Sequence, residues 1–159
     1  MMAEKEFPKR VHPRLRDKEI YSLPGSIVHV IVCTKDKQKY FTNEKLAKMF
    51  CEVLISAAKE FKNKVYAYCV MPDHVHILLE PSVEMGIVEF VKCVKGRYRT
   101  WCRKNGMEIE FQKSFYDHVL RKEEDVLQVA RYILENPIRR GLANELGEYP
   151  FGGSLEFKI

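Results

Sequence analysis

The stretch KVYAYCVMPDHVHILLEP, residues 64–81, decides the fold. Two apolar runs flank the turn-forming Met-Pro-Asp, which predicts a β-hairpin with strands over 64–70 and 74–80. Because side chains alternate between the two faces of a strand, His74 and His76 point to one face and their apolar neighbours point to the other. The hairpin therefore carries two imidazoles side by side on one face.

The segments around this hairpin complete a regular order of elements. A β-branched run predicts a strand before it, and apolar residues at helical spacing predict the helices. In chain order, the expected elements outside the hairpin are a strand over 26–34, a helix from an N-cap at Thr42 or Asn43 to about Phe61, a helix from about Gly86 to Lys104, a strand over 114–121 and a helix over 123–136 that is stopped by Pro137.

Strand, helix, strand, strand, helix, strand is the order of a ferredoxin-like fold, here extended by one C-terminal helix. We therefore expect an α+β protein with a four-stranded antiparallel sheet, helices on one face and the last helix added at the end. If Val75, Ile77 and Leu79 face the first two helices, His74 and His76 point to the open side of the sheet. Since this fold supports many unrelated functions, function has to be argued from particular residues.

Length and composition indicate one globular domain. The chain has 159 residues, 46% hydrophobic and 31% charged, and it contains no apolar run near the roughly 18 residues that a membrane span needs. The first residues are charged and lack the apolar core of a secretory signal. Five cysteines form no C-x-x-C pair, and their odd number favours reduced thiols. We expect a cytoplasmic protein without a membrane partner.

Basic residues are concentrated in two places. Residues 1–24 contain prolines and six basic residues with little apolar periodicity, as in an N-terminal arm. The helix expected after Gly86 carries four cations that line one side: Lys92, Lys95, Arg99 and Arg103. With a net charge of +5, this basic band suits a phosphate backbone. Charge runs of this kind are more often solvated helix faces.

Two pairs of residues are candidates for chemistry. His74 and His76 match one edge of a metal coordination sphere, although core and surface histidines are common and two ligands do not fix an ion. On the last helix, Tyr132 lies on the flank of the apolar stripe, one turn from Asn136. Tyrosine can be a covalent nucleophile, and an amide oxygen can bind a hard cation. A tyrosine at the edge of the core and an asparagine at a helix end would explain the same pattern.

Taken together, three segments resemble a known family. They are YAYCVMPDHVHILLEP (66–81), FYDHVLRKEED (115–125) and ARYILENPIRRGL (130–142). In order and spacing they are similar to the REP-associated tyrosine transposases and their insertion-sequence relatives, the single-tyrosine branch of the HUH endonucleases. The resemblance spans roughly residues 26–145, and YPFGGS (149–154) is similar to a short aromatic-Pro segment found after this region.

The resemblance implies a ferredoxin-like fold and a transposase that cuts and rejoins single-stranded DNA at hairpins. The reaction would pass through a covalent 5′-phosphotyrosine and use Mg²⁺ or Mn²⁺. By this resemblance Tyr132 is the nucleophile, His74 and His76 are the metal ligands of the HUH motif, and Asn136 is a third, amide ligand. The basic band would bind the DNA.

The same resemblance divides the chain and suggests its assembly. It implies a catalytic domain over 25–145 between the arm and a tail over 146–159. Insertion-sequence members of the family are dimers that exchange the tyrosine helix, whereas REP-associated members can act as monomers. A homodimer is therefore one of two expected assemblies.

Two other functions stay open at this stage. A non-catalytic module of the same fold would bind DNA or RNA hairpins without cutting them, although every active-site position of the family is filled here. A ferredoxin-like structural or metal-storage protein would show no preference for nucleic acid. In that case the basic band and the spacing of Tyr132 and Asn136 would be coincidental.

Overall fold

The computed structural model describes residues 25–121 and 124–158, so the predicted arm over 1–24 lies outside the described residues. The regular elements are β1 (Val28–Cys33), α1 (Glu44–Phe61), β2 (Lys64–Met71), β3 (His74–Glu80), α2 (Ile87–Lys104), β4 (Tyr116–Val119), α3 (Val126–Leu134), α4 (Asn136–Arg139) and β5 (Gly152–Gly153). No helix within these two described ranges is long and apolar enough to cross a membrane.

The strands form one antiparallel sheet in the order β4-β1-β3-β2-β5. The order of the first four confirms the ferredoxin-like prediction, and β3, which carries both histidines, is the central strand. The predicted strand count is one short, because Gly152 and Gly153 pair with β2 inside the segment predicted as a tail. Glycines have low strand propensity, so this strand has no sequence signal. A Cβ at Gly153 would lie 3.2 Å from the Tyr68 hydroxyl oxygen, so a larger residue there would require the Tyr68 side chain to shift by a few tenths of an ångström.

Helix ends follow local capping chemistry. The Asn43 side chain accepts a hydrogen bond from the Leu46 N–H at 3.2 Å and caps α1, as predicted. The predicted last helix is instead two helices, because the chain leaves α3 at Glu135 and begins α4 at once. Pro137 lies in the first turn of α4 rather than ending a helix. At that position a missing N–H is harmless, since the first turn has no partner for it.

α1 and α2 cover one face of the sheet. Val75, Ile77 and Leu79 of β3 are buried there in one apolar cluster with Phe50 of α1 and Phe90 of α2. Their predicted orientation toward the two helices is confirmed. By alternation, the histidines of β3 point to the other face.

The opposite face is also covered, which corrects the expectation of an open side. Ala67, Cys69 and Leu78 of the hairpin pack there with Ala130 and Ile133 of α3. The apolar stripe of an amphipathic helix needs such a surface, and these small and apolar strand residues provide it. The two histidines share this face and are 3% and 6% exposed. They are therefore buried groups on the face that α3 covers.

Candidate functional site

The two histidines meet through their inner ring nitrogens. His74 and His76 lie on β3, paired with β1 on one side and β2 on the other. Their Nε2 atoms are 3.2 Å apart. This separation is the one expected for two nitrogens bound to one cation. It corresponds to bonds of about 2.1 Å and a nitrogen–metal–nitrogen angle between a right angle and a tetrahedral angle. The pair therefore has the spacing of two ligands of one ion.

The outer ring nitrogens are held by neighbours on each side. His74 Nδ1 donates to Asp73 Oδ1 at 2.6 Å, and His76 Nδ1 lies 2.9 Å from His29 Nε2. A proton on His74 Nδ1 leaves its Nε2 with a lone pair, which is the form that binds a metal. The hydrogen bond from His74 also lowers the pKa of the Asp73 carboxyl group, so that this acceptor stays ionised.

Burial keeps His76 neutral. Desolvation is the largest of the causes that hold the pKa of His76 well below its ordinary value, and positive or ionisable neighbours lower it further: His74, His29, Arg139 and Arg140. Metal ligands must be deprotonated, and a neutral imidazole can offer a lone pair to a cation from whichever ring nitrogen carries no proton.

His29 belongs to this group, although the sequence pattern assigned it no role. It pairs with Leu78 of β3 and therefore lies on the histidine face. Burial, together with the nearby His118, lowers the pKa of His29 to about 4. Alternation along β1 places His29 and Ile31 on one face of that strand. Whether this is the face that carries His74 and His76 depends on how β1 and β3 are paired. Because this pairing joins segments that are distant in sequence, the sequence around His29 gives little indication that it belongs to the site.

Tyr132 and Asn136 are brought together at the junction of α3 and α4. Tyr132 is half-buried on α3, and Asn136 begins α4 one turn later. The Arg139 guanidinium lies 3.9 Å from the centre of the Tyr132 ring. Its Nη2 donates to the Tyr132 carbonyl oxygen at 2.5 Å and to Asn136 Oδ1 at 2.9 Å. One cation therefore holds the tyrosine and the amide together.

Arg139 also lies near the histidine row of the sheet. Its charge contributes to the low pKa of His76, and it opposes the burial that raises the pKa of Cys69 to about 12. Cys69 and His76 are cross-strand partners on β2 and β3. The structure thus brings the junction that carries Tyr132 and Asn136 to the same side of the sheet as the histidines.

The Asn136 amide has one unsatisfied polar atom. Its Nδ2 is buried and has no hydrogen-bond partner among the described residues, which is unfavourable for a donor. Turning the amide over would place an oxygen there, provided that Arg139 released its bond, and a cation would then satisfy that oxygen. Within 25–121 and 124–158, no group of three or more His, Cys, Asp or Glu could hold a metal ion. Two imidazoles and this amide would hold a metal here, and oxygens of water or substrate would complete its coordination.

The basic band lies on the other side of the sheet. Lys92, Arg99 and Arg103 are exposed on α2, which covers the face opposite to the histidines. Lys95 is half-buried, and its Nζ donates to the Gln112 carbonyl oxygen at 2.9 Å. A DNA strand that contacts both the band and the histidines would have to pass around an edge of the sheet. The role of the band in DNA binding stays a prediction.

Comparison with known proteins decides the family. A family model described as "Transposase IS200 like" matches residues 22–136, most of the chain. The chain belongs to the IS200-like transposases. The resemblance seen in the three sequence segments is thereby confirmed.

Individual relatives of this IS200-like transposase are distant. A Haemophilus influenzae protein classed as a REP-associated tyrosine transposase is 20% identical over 139 residues, which are 80% of this chain and 78% of that one. The ISDra2 transposase TnpA of Deinococcus radiodurans is 35% identical over 68 residues, 43% of this chain and 48% of its own. The structure of a REP-associated tyrosine transposase bound to a REP hairpin matches with a TM-score of 0.68 at 20% identity, over 83% of this chain and 78% of that one. That likeness shows a shared fold.

The low pKa of His29 predicts that this IS200-like transposase loses stability in mild acid when no metal is present. His29 has a pKa of about 4 in the folded chain instead of the ordinary 6.5, so between these values the unfolded chain binds a proton that the folded chain does not. The free energy of unfolding should therefore fall as the pH drops through this range. This group would contribute about 3 kcal/mol at about 1.4 kcal/mol per pKa unit.

Urea denaturation at several pH values measures this loss, and His29→Gln is the control because it removes the titrating ring. Wild-type protein should lose more stability than the variant on acidification. The same pH dependence in both proteins would contradict a buried, neutral His29.

Proposed function

We propose that this IS200-like transposase cuts and rejoins single-stranded DNA at hairpins, with Tyr132 as the nucleophile and with Mg²⁺ or Mn²⁺ held by His74, His76 and Asn136. The observation that carries the proposal is the histidine pair, whose Nε2 atoms are 3.2 Å apart while both outer nitrogens are engaged. The family supports DNA transposition. The structural relative bound to a REP hairpin supports a hairpin substrate.

The donor atoms of these three residues are suited to a divalent cation. Imidazole nitrogen suits transition-metal ions, and amide oxygen suits Mg²⁺ and Mn²⁺. The buried Nδ2 atom of Asn136, which has no partner among the described residues, marks a place for one more polar group. When bound, the cation would neutralise charge on a phosphodiester oxygen and make the phosphorus more electrophilic.

Tyr132 supplies the nucleophile for cleavage. Its phenol oxygen forms a bond to phosphorus as the bond from phosphorus to the 3′-oxygen breaks. The phenol proton leaves to solvent, and the departing 3′-oxygen takes up a proton. The products are a 5′-phosphotyrosine and a free 3′-hydroxyl. Because the new ester keeps the free energy of the phosphodiester, a 3′-hydroxyl can attack it and restore a strand without ATP, whereas hydrolysis by water would lose that free energy.

Arg139 holds the tyrosine for this step. Its guanidinium covers the Tyr132 ring and donates to the Tyr132 carbonyl oxygen, and neither contact requires the bond to Asn136 that the amide must give up to bind a cation. Since α3 packs on the sheet of its own chain, the proposal includes that Tyr132 works with the histidines of the same chain. A monomer would then be sufficient for cleavage.

Tyr132→Phe should abolish strand cleavage and the covalent protein–DNA adduct while DNA binding persists, because the variant keeps the ring and loses the attacking oxygen. Labelled hairpin DNA incubated with Mn²⁺ and run on a denaturing gel measures the adduct as a slower band. Tyr66→Phe is the matched control, since it removes a hydroxyl that donates to Glu80 at 2.7 Å. This control should form the adduct as the wild-type protein does.

Three other results of this assay would each contradict a different part of the proposal: the nucleophile, the catalytic activity or the action of Tyr132 within one chain. An adduct formed by Tyr132→Phe would refute the nucleophile. Hairpin binding by wild-type protein without any covalent band would favour a non-catalytic DNA- or RNA-binding module of the same fold. Cleavage by a mixture of Tyr132→Phe and His76→Ala chains, each inactive alone, would show that the tyrosine acts across a homodimer.

The basic band on α2 predicts how DNA binding depends on salt. If Lys92 and Arg99, both exposed, contact phosphates, replacing both with Ala should flatten the slope of log K against log salt by roughly 0.7 per lost contact on single strands. Fluorescence anisotropy with labelled hairpin DNA measures the slope. Lys48 and Lys59 are exposed on α1, so Lys48→Ala with Lys59→Ala is the matched control. Equal slopes for the two double variants would place the DNA away from the band.

A further inference from the structure

We infer that His29 is a positioning residue that sets which nitrogen of His76 carries the proton, and thereby lets His76 turn a lone pair toward a cation. The inference rests on the proposed function, because it concerns the metal that His74 and His76 would hold. His29 would not touch the metal or the DNA. It would act through the outer nitrogen of His76.

Three imidazoles and one carboxylate form a continuous row of hydrogen bonds. The row runs from Asp73 Oδ1 to His74 Nδ1 at 2.6 Å, from His74 Nε2 to His76 Nε2 at 3.2 Å, and from His76 Nδ1 to His29 Nε2 at 2.9 Å. The rings of His29 and His76 are stacked, with centroids 5.2 Å apart and planes 29° apart. His29 is therefore aligned with His76 by packing as well as by the hydrogen bond.

In the metal-free protein, the Asp73 carboxylate at one end of the row determines which nitrogen of each ring carries a proton. Asp73 accepts, so His74 carries its proton on Nδ1 and offers a lone pair on Nε2. His76 then donates to it from Nε2, which leaves its own Nδ1 as the acceptor of a proton from His29 Nε2. In this arrangement each ring carries one proton, and each hydrogen bond has one donor.

Binding of a cation by both inner nitrogens requires a different arrangement. His76 Nε2 must lose its proton, which moves to Nδ1, and a buried N–H at Nδ1 then needs an acceptor. His29 can become that acceptor when its own proton moves from Nε2 to Nδ1, so no proton is gained or lost by the three rings. A neutral imidazole can act as donor in one state and as acceptor in the other because its two nitrogens exchange roles. That property explains a histidine at position 29.

The substitutions that test this role separate hydrogen bonding from packing. His29→Leu fills the space and offers neither donor nor acceptor. His29→Gln offers an amide that can turn to present either group. The control is His118→Leu, because His118 lies opposite His29 on β4 and bonds Glu124 rather than the histidine pair.

The first measurement is Mn²⁺ binding by the full chain without DNA. Electron paramagnetic resonance detects the Mn²⁺ that stays free in solution and so gives the amount bound. His29→Leu should weaken Mn²⁺ binding by roughly 10- to 100-fold, as loss of an outer-shell partner does. His29→Gln and His118→Leu should bind nearly as the wild-type protein does. Equal binding by wild type and His29→Leu would overturn the inference and leave the proposed metal site intact. If wild type and His76→Ala bind Mn²⁺ equally, the proposed metal site itself fails.

A second measurement needs no substitution and covers the case in which His29→Leu does not fold. Long-range ¹H–¹⁵N NMR spectra of the imidazoles identify the protonated nitrogen of each ring. On addition of Mg²⁺ to wild-type protein, the proton of His76 should move from Nε2 to Nδ1 and that of His29 should move from Nε2 to Nδ1. The inference would be overturned if the proton of His76 moved to Nδ1 while the proton of His29 stayed on Nε2.

Discussion

The packing of α3 on the hairpin is the contact on which the rest of the site depends. Ala130 and Ile133 lie against small and apolar residues of β2 and β3, and this contact places Tyr132 on the flank of the helix rather than in the core. The chain then turns into α4, where Arg139 stacks on Tyr132 and acts on His76. This contact brings the helix that carries the tyrosine onto the face of the sheet that carries the histidines.

Burial on this face of the sheet also decides the chemistry of the imidazoles. Burial disfavours the charged forms of His76 and His29, and the three rings are hydrogen-bonded in one row that ends at the Asp73 carboxylate. The row engages the outer nitrogens and leaves the two inner nitrogens facing each other. The same low polarity that excludes protonation would strengthen the attraction between a bound cation and a phosphate.

Local patterns predicted much of the fold and the shared face of the two histidines, whereas the roles proposed for Tyr132, His74, His76 and Asn136 come from the family resemblance. The hairpin, the element order and the common face of His74 and His76 all follow from alternation and helical spacing, which depend on neighbours in sequence. Three features do not: the docking of α3 on the second face, the strand made by Gly152 and Gly153, and the contact of His29 with His76. Each of these depends on pairing or packing between distant segments, so no short stretch of sequence contains it.

In the proposed site, a phenol and two imidazoles converge on one cation. Anomalous diffraction from crystals of the full chain soaked in Mn²⁺ tests it most directly, because the anomalous signal locates the ion without assumptions about its ligands. We expect one strong peak within bonding distance of Nε2 of both His74 and His76, with the Tyr132 side chain on the same side of the sheet. A saturated soak with no peak at the histidines, or a peak there with Tyr132 turned away behind the sheet, would contradict it.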